Sequence, residues 1–207
     1  MVSNISGVIL AGGGSKRFNG IIKAKIDIGG KTIISRIIEK LSDIFGEIII
    51  VTNSPDEFKE YNKYKIIGDQ FLNKGPLGGI HSALKKSENE AVFVVAGDMP
   101  MLDSDLIARQ IDFYNSDRCD VLIPQIDNYI EPLHGIYRKT LIRNLEDYLS
   151  GENNYAVRAF FKEADVHYLP LEGTPISKSA FININSPSDI QIVKKLMGLN
   201  DYNDSFR

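Results

Sequence analysis

The chain has 207 residues, 43% of them hydrophobic, and a formal net charge of −3, enough for one compact domain with a substantial core. Acidic and basic residues are interspersed, so there is no electrostatic footprint for nucleic acid or an anionic membrane. A lone cysteine, Cys119, excludes an intramolecular disulfide framework and a cysteine-rich zinc site. With no basic leader and no apolar run of membrane-spanning length, the expectation is a soluble, cytoplasmic protein. No repeat or linker interrupts the chain, so residues 1–207 read as a single domain, with a frayed polar tail over about 198–207.

In chain order the pattern alternates strand and helix. Apolar strands are expected at residues 7–11, 47–52, 65–67, 91–96 and 121–124. Ile48-Ile49-Ile50-Val51 and Val92-Phe93-Val94-Val95 are apolar on both faces, as strands covered by helices above and below must be. Ile33, Ile34, Ile37, Ile38 and Leu41 recur at helical spacing, and a second stripe runs through Leu106, Ile107, Gln110 and Ile111. A helix over 79–86 joins the third and fourth strands. Further on, 133–137 reads as a strand, 139–149 and 155–162 as helices, and 166–169 as a strand. Ser186-Pro187-Ser188-Asp189 is a helix start: Ser186 caps, Pro187 fits the first turn and Asp189 suits the positive end. The series predicts an α/β fold, a three-layer α/β/α sandwich around a mostly parallel, Rossmann-like sheet.

The first strand runs into Val8-Ile9-Leu10-Ala11-Gly12-Gly13-Gly14-Ser15-Lys16-Arg17. Glycines without Cβ let backbone N–H groups approach a phosphate, and Lys16 and Arg17 supply positive charge. A Walker loop is excluded because no Gly-Lys-Ser/Thr follows, and a dinucleotide fingerprint from Gly12 needs glycine where Arg17 stands. A plain glycine turn after an edge strand is the alternative. In an open parallel sheet, ligands bind beyond the carboxyl ends of the strands. Two more turns reach that edge: Asp69 followed by Gly75-Pro76-Leu77-Gly78-Gly79, and Gly97-Asp98-Met99-Pro100. Asp98, delivered by an apolar strand with room left by Gly97, suits Mg²⁺, which favours one or two carboxylates plus phosphate oxygens. Its alternative role is a cap, for which Asp103 is better placed. Lys23 reaches the phosphates or is a solvated surface lysine. Asp69 accepts from a ribose or base or forms a turn; Gly78 and Gly79 let a base lie flat or serve close helix–sheet packing. His81, His134 and His167 lack metal-ligand spacing and suit packing or surface roles, although His134 belongs to a segment, 131–135, that borders a second substrate. No Ser/His/Asp or Cys/His pairing recommends a protein nucleophile.

Together these residues resemble the nucleotidyltransferases of the molybdenum cofactor guanylyltransferase type. The resemblance runs through Leu10-Ala11-Gly12-Gly13 with Ser15, Arg17 and Phe18, then Lys23, Gly30-Lys31, Gly68-Asp69, Gly75-Pro76-Leu77-Gly78-Gly79 and Gly97-Asp98-Met99-Pro100. It continues through Pro132-Leu133 with Tyr137 and Phe181-Ile182-Asn183-Ile184-Asn185-Ser186-Pro187. The Leu-Ala-Gly-Gly form is similar to the guanylyl-transferring branch, whereas Leu-Ala-Ala-Gly is common in cytidylyl-transferring relatives. The resemblance implies a sheet of the nucleotide-diphospho-sugar transferase type, with GTP on Leu10, Ala11, Gly12, Gly13, Lys23, Asp69, Gly78, Gly79 and Asp98. It implies Mg²⁺ at Asp98, with Asn185 or Asn183 as the late polar position at the metal or the acceptor, and Asp98, Lys23 and Arg17 as the catalytic groups. Two departures stand out: Ile22 stands where the family often has an aspartate before the lysine, with Lys25 near enough to compete with Lys23 for the role, and Ser186 stands where a threonine is usual. The implied reaction is attack by the terminal phosphate of the molybdopterin cofactor on the α-phosphorus of GTP, releasing pyrophosphate. Transient contacts with cofactor-synthesis or acceptor proteins belong to the same expectation. The nearest alternatives are another nucleotide or another acceptor, such as a sugar phosphate or cobinamide phosphate, and then a non-catalytic nucleotide-binding adaptor. Segments 127–137 and 153–162 are expected to line the acceptor pocket.

Overall fold

A computed structural model describes residues 4–12, 20–151, 154–174 and 178–199. Strand β1 (Ile5–Leu10) leads through a 3₁₀ turn (Lys23–Lys25) to α1 (Ile33–Ser42) and β2 (Ile48–Val51). A second 3₁₀ segment (Pro55–Tyr61) precedes β3 (Lys65–Ile67), followed by α2 (Gly75–Lys86), β4 (Ala91–Ala96) and α3 (Ser104–Ser116). Then come β5 (Val121–Ile126), β6 (Tyr129–Ile130), β7 (His134–Arg138), α4 (Ile142–Gly151), α5 (Val157–Phe160), β8 (Val166–Pro170) and α6 (Pro187–Leu196).

Local chemistry accounts for the boundaries. Thr32 caps α1 by accepting from the Ser35 N–H at 3.3 Å, and the five expected apolar residues of α1 are all buried. Asp103 caps α3 through the Leu106 N–H at 2.8 Å. Helix α2 starts at Gly75, four residues before the expected position, because Pro76 fits a first turn and the two following glycines are used for close packing. The 3₁₀ segment Pro55–Tyr61 and the two-residue β6 were not expected from the pattern; neither carries a periodic stripe long enough to read.

The sheet has eight strands in the order β3-β2-β1-β4-β7-β5-β6, with β8 on β5. Strands β1 to β4 are parallel. The expected mostly parallel sheet is there, but β7 is inserted antiparallel between β4 and β5. A tight turn with Asp127 at φ 52° explains this, since it folds β6 back on β5 with no room for a crossover helix. The register between β5 and its antiparallel partners then slips by three residues. Gln125 faces Ile130, yet Leu122 faces Ile136, so residues 131–133 bulge out at the carboxyl edge of β4.

Alternate strand residues feed two cores. Ile5, Ile9, Ile50, Phe93 and Leu122 pack under α1, α3 and α6, while Val8, Ile49, Val92 and Ile123 pack under α2, α4 and α5. That is the three-layer sandwich. Leu199, within the span expected to fray, packs on the first core against Gly29; residues 200–207 lie outside the described residues. Among the described residues no helix is long and apolar enough to cross a membrane.

Candidate active site

The strand order reverses between β1 and β4: the chain leaves β1 toward β2 on one side and leaves β4 toward β5 on the other. A cleft of about 400 Å³ opens at this point, beyond the carboxyl ends of β1 to β4. Its floor is made by two strand ends in close contact. The Gly97 N–H donates to the Leu10 carbonyl at 2.9 Å, and a Cβ on Gly97 would lie 3.0 Å from that oxygen and 3.2 Å from Ala11 Cα. Gly97 is therefore needed for backbone approach on its Cβ side, while it lines the cleft together with Asp98.

Asp98 follows immediately and its carbonyl accepts from the Ile184 N–H at 2.9 Å. This bond pins the segment before α6 to the end of β4 and so brings Asn185, which does not itself line the cleft, to the cleft residue Lys23. The turn at Lys23 comes from the opposite side. Lys23 Nζ donates to Asp98 Oδ2 at 2.9 Å and to Asn185 Oδ1 at 2.7 Å. Lys25 is committed elsewhere, donating to the Glu57 carbonyl at 2.6 Å and pairing with Glu60 at 3.2 Å. Asn183 donates to the Phe181 carbonyl at 3.2 Å. Of each pair left open by the sequence, Lys23 and Asn185 are the ones at Asp98. The α6 cap holds Asn185 in place: its N–H and that of Ser186 both donate to Asp189 Oδ2, at 2.8 and 2.7 Å. These bonds, the one from Asn185 foremost, keep the Asp189 carboxyl below its ordinary pKa.

On the other wall, Asp69 is locked to Asn53 by two bonds. The Asn53 amide donates to Asp69 Oδ2 at 2.9 Å, and the Asp69 N–H donates to Asn53 Oδ1 at 2.9 Å. Asn53 lines the cleft and was not singled out from the sequence. The signal was present, since it follows an apolar strand at the same carboxyl edge that pointed to Asp69 and Asp98. Leu10, Ala11, Gly12, Lys23, Asp69, Gly79 and Asp98 all line the cleft. Gly78 does not line it: a Cβ there would lie 2.6 Å from the Phe71 carbonyl oxygen, so this glycine serves close packing of α2. Gly13 and Arg17 lie outside the described residues.

The bulge at 131–133 supplies the far wall. Leu133 lines the cleft and its carbonyl accepts from the Ala96 N–H at 3.2 Å. Buried Glu131 braces the bulge by accepting from the Leu133 N–H at 3.1 Å and the Tyr129 hydroxyl at 2.5 Å. At the start of α2, Lys74 donates to the Tyr155 hydroxyl and sits 4.0 Å from the centre of its ring. This brings the 155 region against the cleft residues Asn73 and Gly75.

None of the three histidines lines the cleft. His81 is buried in α2 beside Glu146, and burial lowers its pKa. His134 is enclosed between the rings of Phe93 and Phe181, where burial pushes its pKa down to about 4. Cys119 is buried and its thiol is pushed up to about 11 by desolvation, which makes it a packing residue. Among the described residues no group of three or more His, Cys, Asp or Glu is arranged to hold a metal. The cleft offers instead a carboxylate and an amide oxygen converging on one cationic nitrogen.

Residues 7–167 match the family model described as the MobA-like NTP transferase domain. A probable molybdenum cofactor guanylyltransferase from Natranaerobius thermophilus is 36% identical over 206 residues, covering 96% of this chain and 98% of the relative. The molybdenum cofactor guanylyltransferase of Syntrophotalea carbinolica is 31% identical over 189 residues, covering 90% of this chain and 89% of the relative. In structure, the chain is similar to molybdopterin-guanine dinucleotide biosynthesis protein A from Archaeoglobus fulgidus. The TM-score is 0.78 at 24% identity, with 94% of this chain and 99% of that one covered, a likeness of fold. With a family model spanning most of its length and full-length relatives above 30% identity, this chain belongs to the MobA-like NTP transferase family.

Proposed function

We propose that this chain transfers GMP from GTP to the terminal phosphate of the molybdenum–molybdopterin cofactor, forming the guanine dinucleotide and releasing pyrophosphate. The observation that carries the reading is the convergence of Lys23, Asp98 and Asn185 at the switch-point cleft, opposite the Asn53–Asp69 pair. The names of the full-length relatives support the choice of base and acceptor. In this reading the whole chain acts as one soluble, cytoplasmic domain.

The triphosphate lies over the end of β1, where Gly12 exposes backbone, with Lys23 and Arg17 as its cations. Asp69, held by Asn53, accepts from the ribose or the base. Mg²⁺ fits the donor set, since Asp98 Oδ2 and Asn185 Oδ1 are hard oxygens already within 2.9 Å of one positive nitrogen. When bound there, it supplies charge neutralisation at the phosphates. An oxygen of the acceptor phosphate forms the new bond to the α-phosphorus. The bond to the bridging oxygen breaks, and its electron pair leaves on pyrophosphate. The attacking oxygen is already ionised near neutral pH, so no strong general base is required, and the cleft contains no histidine. Catalysis then reduces to positioning and charge neutralisation by Lys23, Arg17 and the groups around Asp98. The bulge at 131–133 and the Lys74–Tyr155 pair border the space left for the acceptor.

Calorimetry with GTP, CTP, ATP and UTP in the presence of Mg²⁺ tests the base. Preferential binding of GTP is expected. Preference for another nucleotide moves the activity to a sister transferase, and no binding at all contradicts the nucleotide reading.

A further inference from the structure

Lys23 spans the same two oxygens that the proposed function gives to a divalent cation. Its ammonium lies 2.9 Å from Asp98 Oδ2 and 2.7 Å from Asn185 Oδ1, at distances of full hydrogen bonds. A divalent cation needs those oxygens at closer range and repels the ammonium, so the two cations cannot share them. The backbone beneath Lys23 is fixed. Ala24 is buried, the Lys25 N–H donates to the Ile22 carbonyl at 2.9 Å, and the Ile26 N–H to the Lys23 carbonyl at 3.0 Å. Asn185 is equally fixed through Asp189. What can move is the four-carbon stem of Lys23, whose side chain is only 21% exposed and lines the cleft that the triphosphate enters.

We propose that Lys23 and a divalent cation compete for Asp98 and Asn185, so that nucleotide phosphates must draw Lys23 away before the cation can bind tightly. This rests on the nucleotide–metal reading of the cleft and adds an order to it. The free protein binds metal weakly, and nucleotide and metal enter as linked events. Lys23 then opposes metal binding in one state and anchors phosphate in the next. Removing the lysine therefore strengthens the cation site and weakens the hold on phosphate.

The test is a titration of nucleotide-free protein with Mn²⁺, followed by the electron paramagnetic resonance signal of free Mn²⁺. Lys23→Met is expected to bind Mn²⁺ roughly tenfold more tightly than the wild type, within the usual range of such couplings. The gain is expected to vanish in the double variant Lys23→Met, Asp98→Asn. Circular dichroism verifies folding, and Lys23→Gln repeats the comparison with a neutral side chain of similar reach. Equal or weaker Mn²⁺ binding by the folded Lys23 variants overturns the competition, as does a gain that survives loss of the Asp98 charge. The titration contains no nucleotide and no acceptor, so a failure of guanylyl transfer leaves its outcome readable.

Discussion

The two halves of the sheet are built on different rules. From β1 to β4 every strand is parallel and is followed by glycine, asparagine or aspartate at one edge, and β2 and β4 are apolar and buried on both faces. Beyond β4 the sheet turns mixed. An antiparallel hairpin with a three-residue slip replaces the crossover, and its bulge is presented to the same cleft. In the proposed reading the first half holds the nucleotide phosphates, whereas the second supplies an irregular wall beside the acceptor.

The largest effect that sharpens this division is expected at Lys23. Lys23→Met should lower kcat/KM by roughly 10²–10³-fold, the usual loss for one preorganised charge at a transition state. Its melting temperature should move far less than its activity, because Asp98 lines the open cleft and water can solvate its charge once the ammonium is gone. Steady-state kinetics beside a thermal melt check both. Equal losses in activity and stability would mean that the pair is structural.

Two glycines separate the halves more finely. Gly135→Ala puts a Cβ 2.9 Å from the Leu122 carbonyl oxygen inside the antiparallel insertion. It should cost about 1–3 kcal/mol in denaturant unfolding, as overpacking does, and leave GTP affinity intact. Gly97→Ala strains the β1–β4 contact at the cleft floor and should weaken GTP binding as well. If both variants lose GTP binding alike, the halves are not separable.

Asn53→Ala frees Asp69 from its two bonds and should weaken GTP binding about tenfold, the worth of one or two net hydrogen bonds. The acceptor KM should stay unchanged. Lys74→Met is the mirror experiment: it should raise the acceptor KM several-fold and leave GTP calorimetry unaltered.

These contrasts track what the sequence revealed. Ile48–Val51 and Val92–Val95 could be read as buried strands because they are apolar throughout, and the edge rule then gathered Asp69 and Asp98. The cleft partners of Asp98 could not be ranked that way. Lys23 and Lys25 are two residues apart on one turn, and only the position of Glu57 and Glu60 decides which is drawn away. Asn185 meets Lys23 across 162 positions, a contact set by the Ile184–Asp98 backbone bond and not by any local pattern. Gly97 has a second role that the pattern does not show: the end of β1 fills the space its Cβ would take. The antiparallel β7 was legible as a strand, but its direction depends on a single turn at Asp127.

The smallest expected effect lies far from the cleft. His167 is held above its ordinary value of 6.5, first by its bond to Asp117 and also by Asp165. A raised folded pKa makes the contribution full below about pH 6.5 and lost as the pH rises through the folded value. His167→Gln should flatten that part of the stability–pH profile and leave turnover unchanged.

The central claim is that the Asp98 cluster performs guanylyl transfer, and single-turnover chemistry tests it most directly. GTP labelled at the α-phosphate is mixed with excess enzyme and molybdopterin cofactor, in wild type and in Asp98→Asn, and the labelled dinucleotide and released pyrophosphate are followed. The account predicts equimolar dinucleotide and pyrophosphate from the wild type and a rate at least about 10²-fold lower from Asp98→Asn. Undiminished transfer by Asp98→Asn, or pyrophosphate released without dinucleotide, would contradict it.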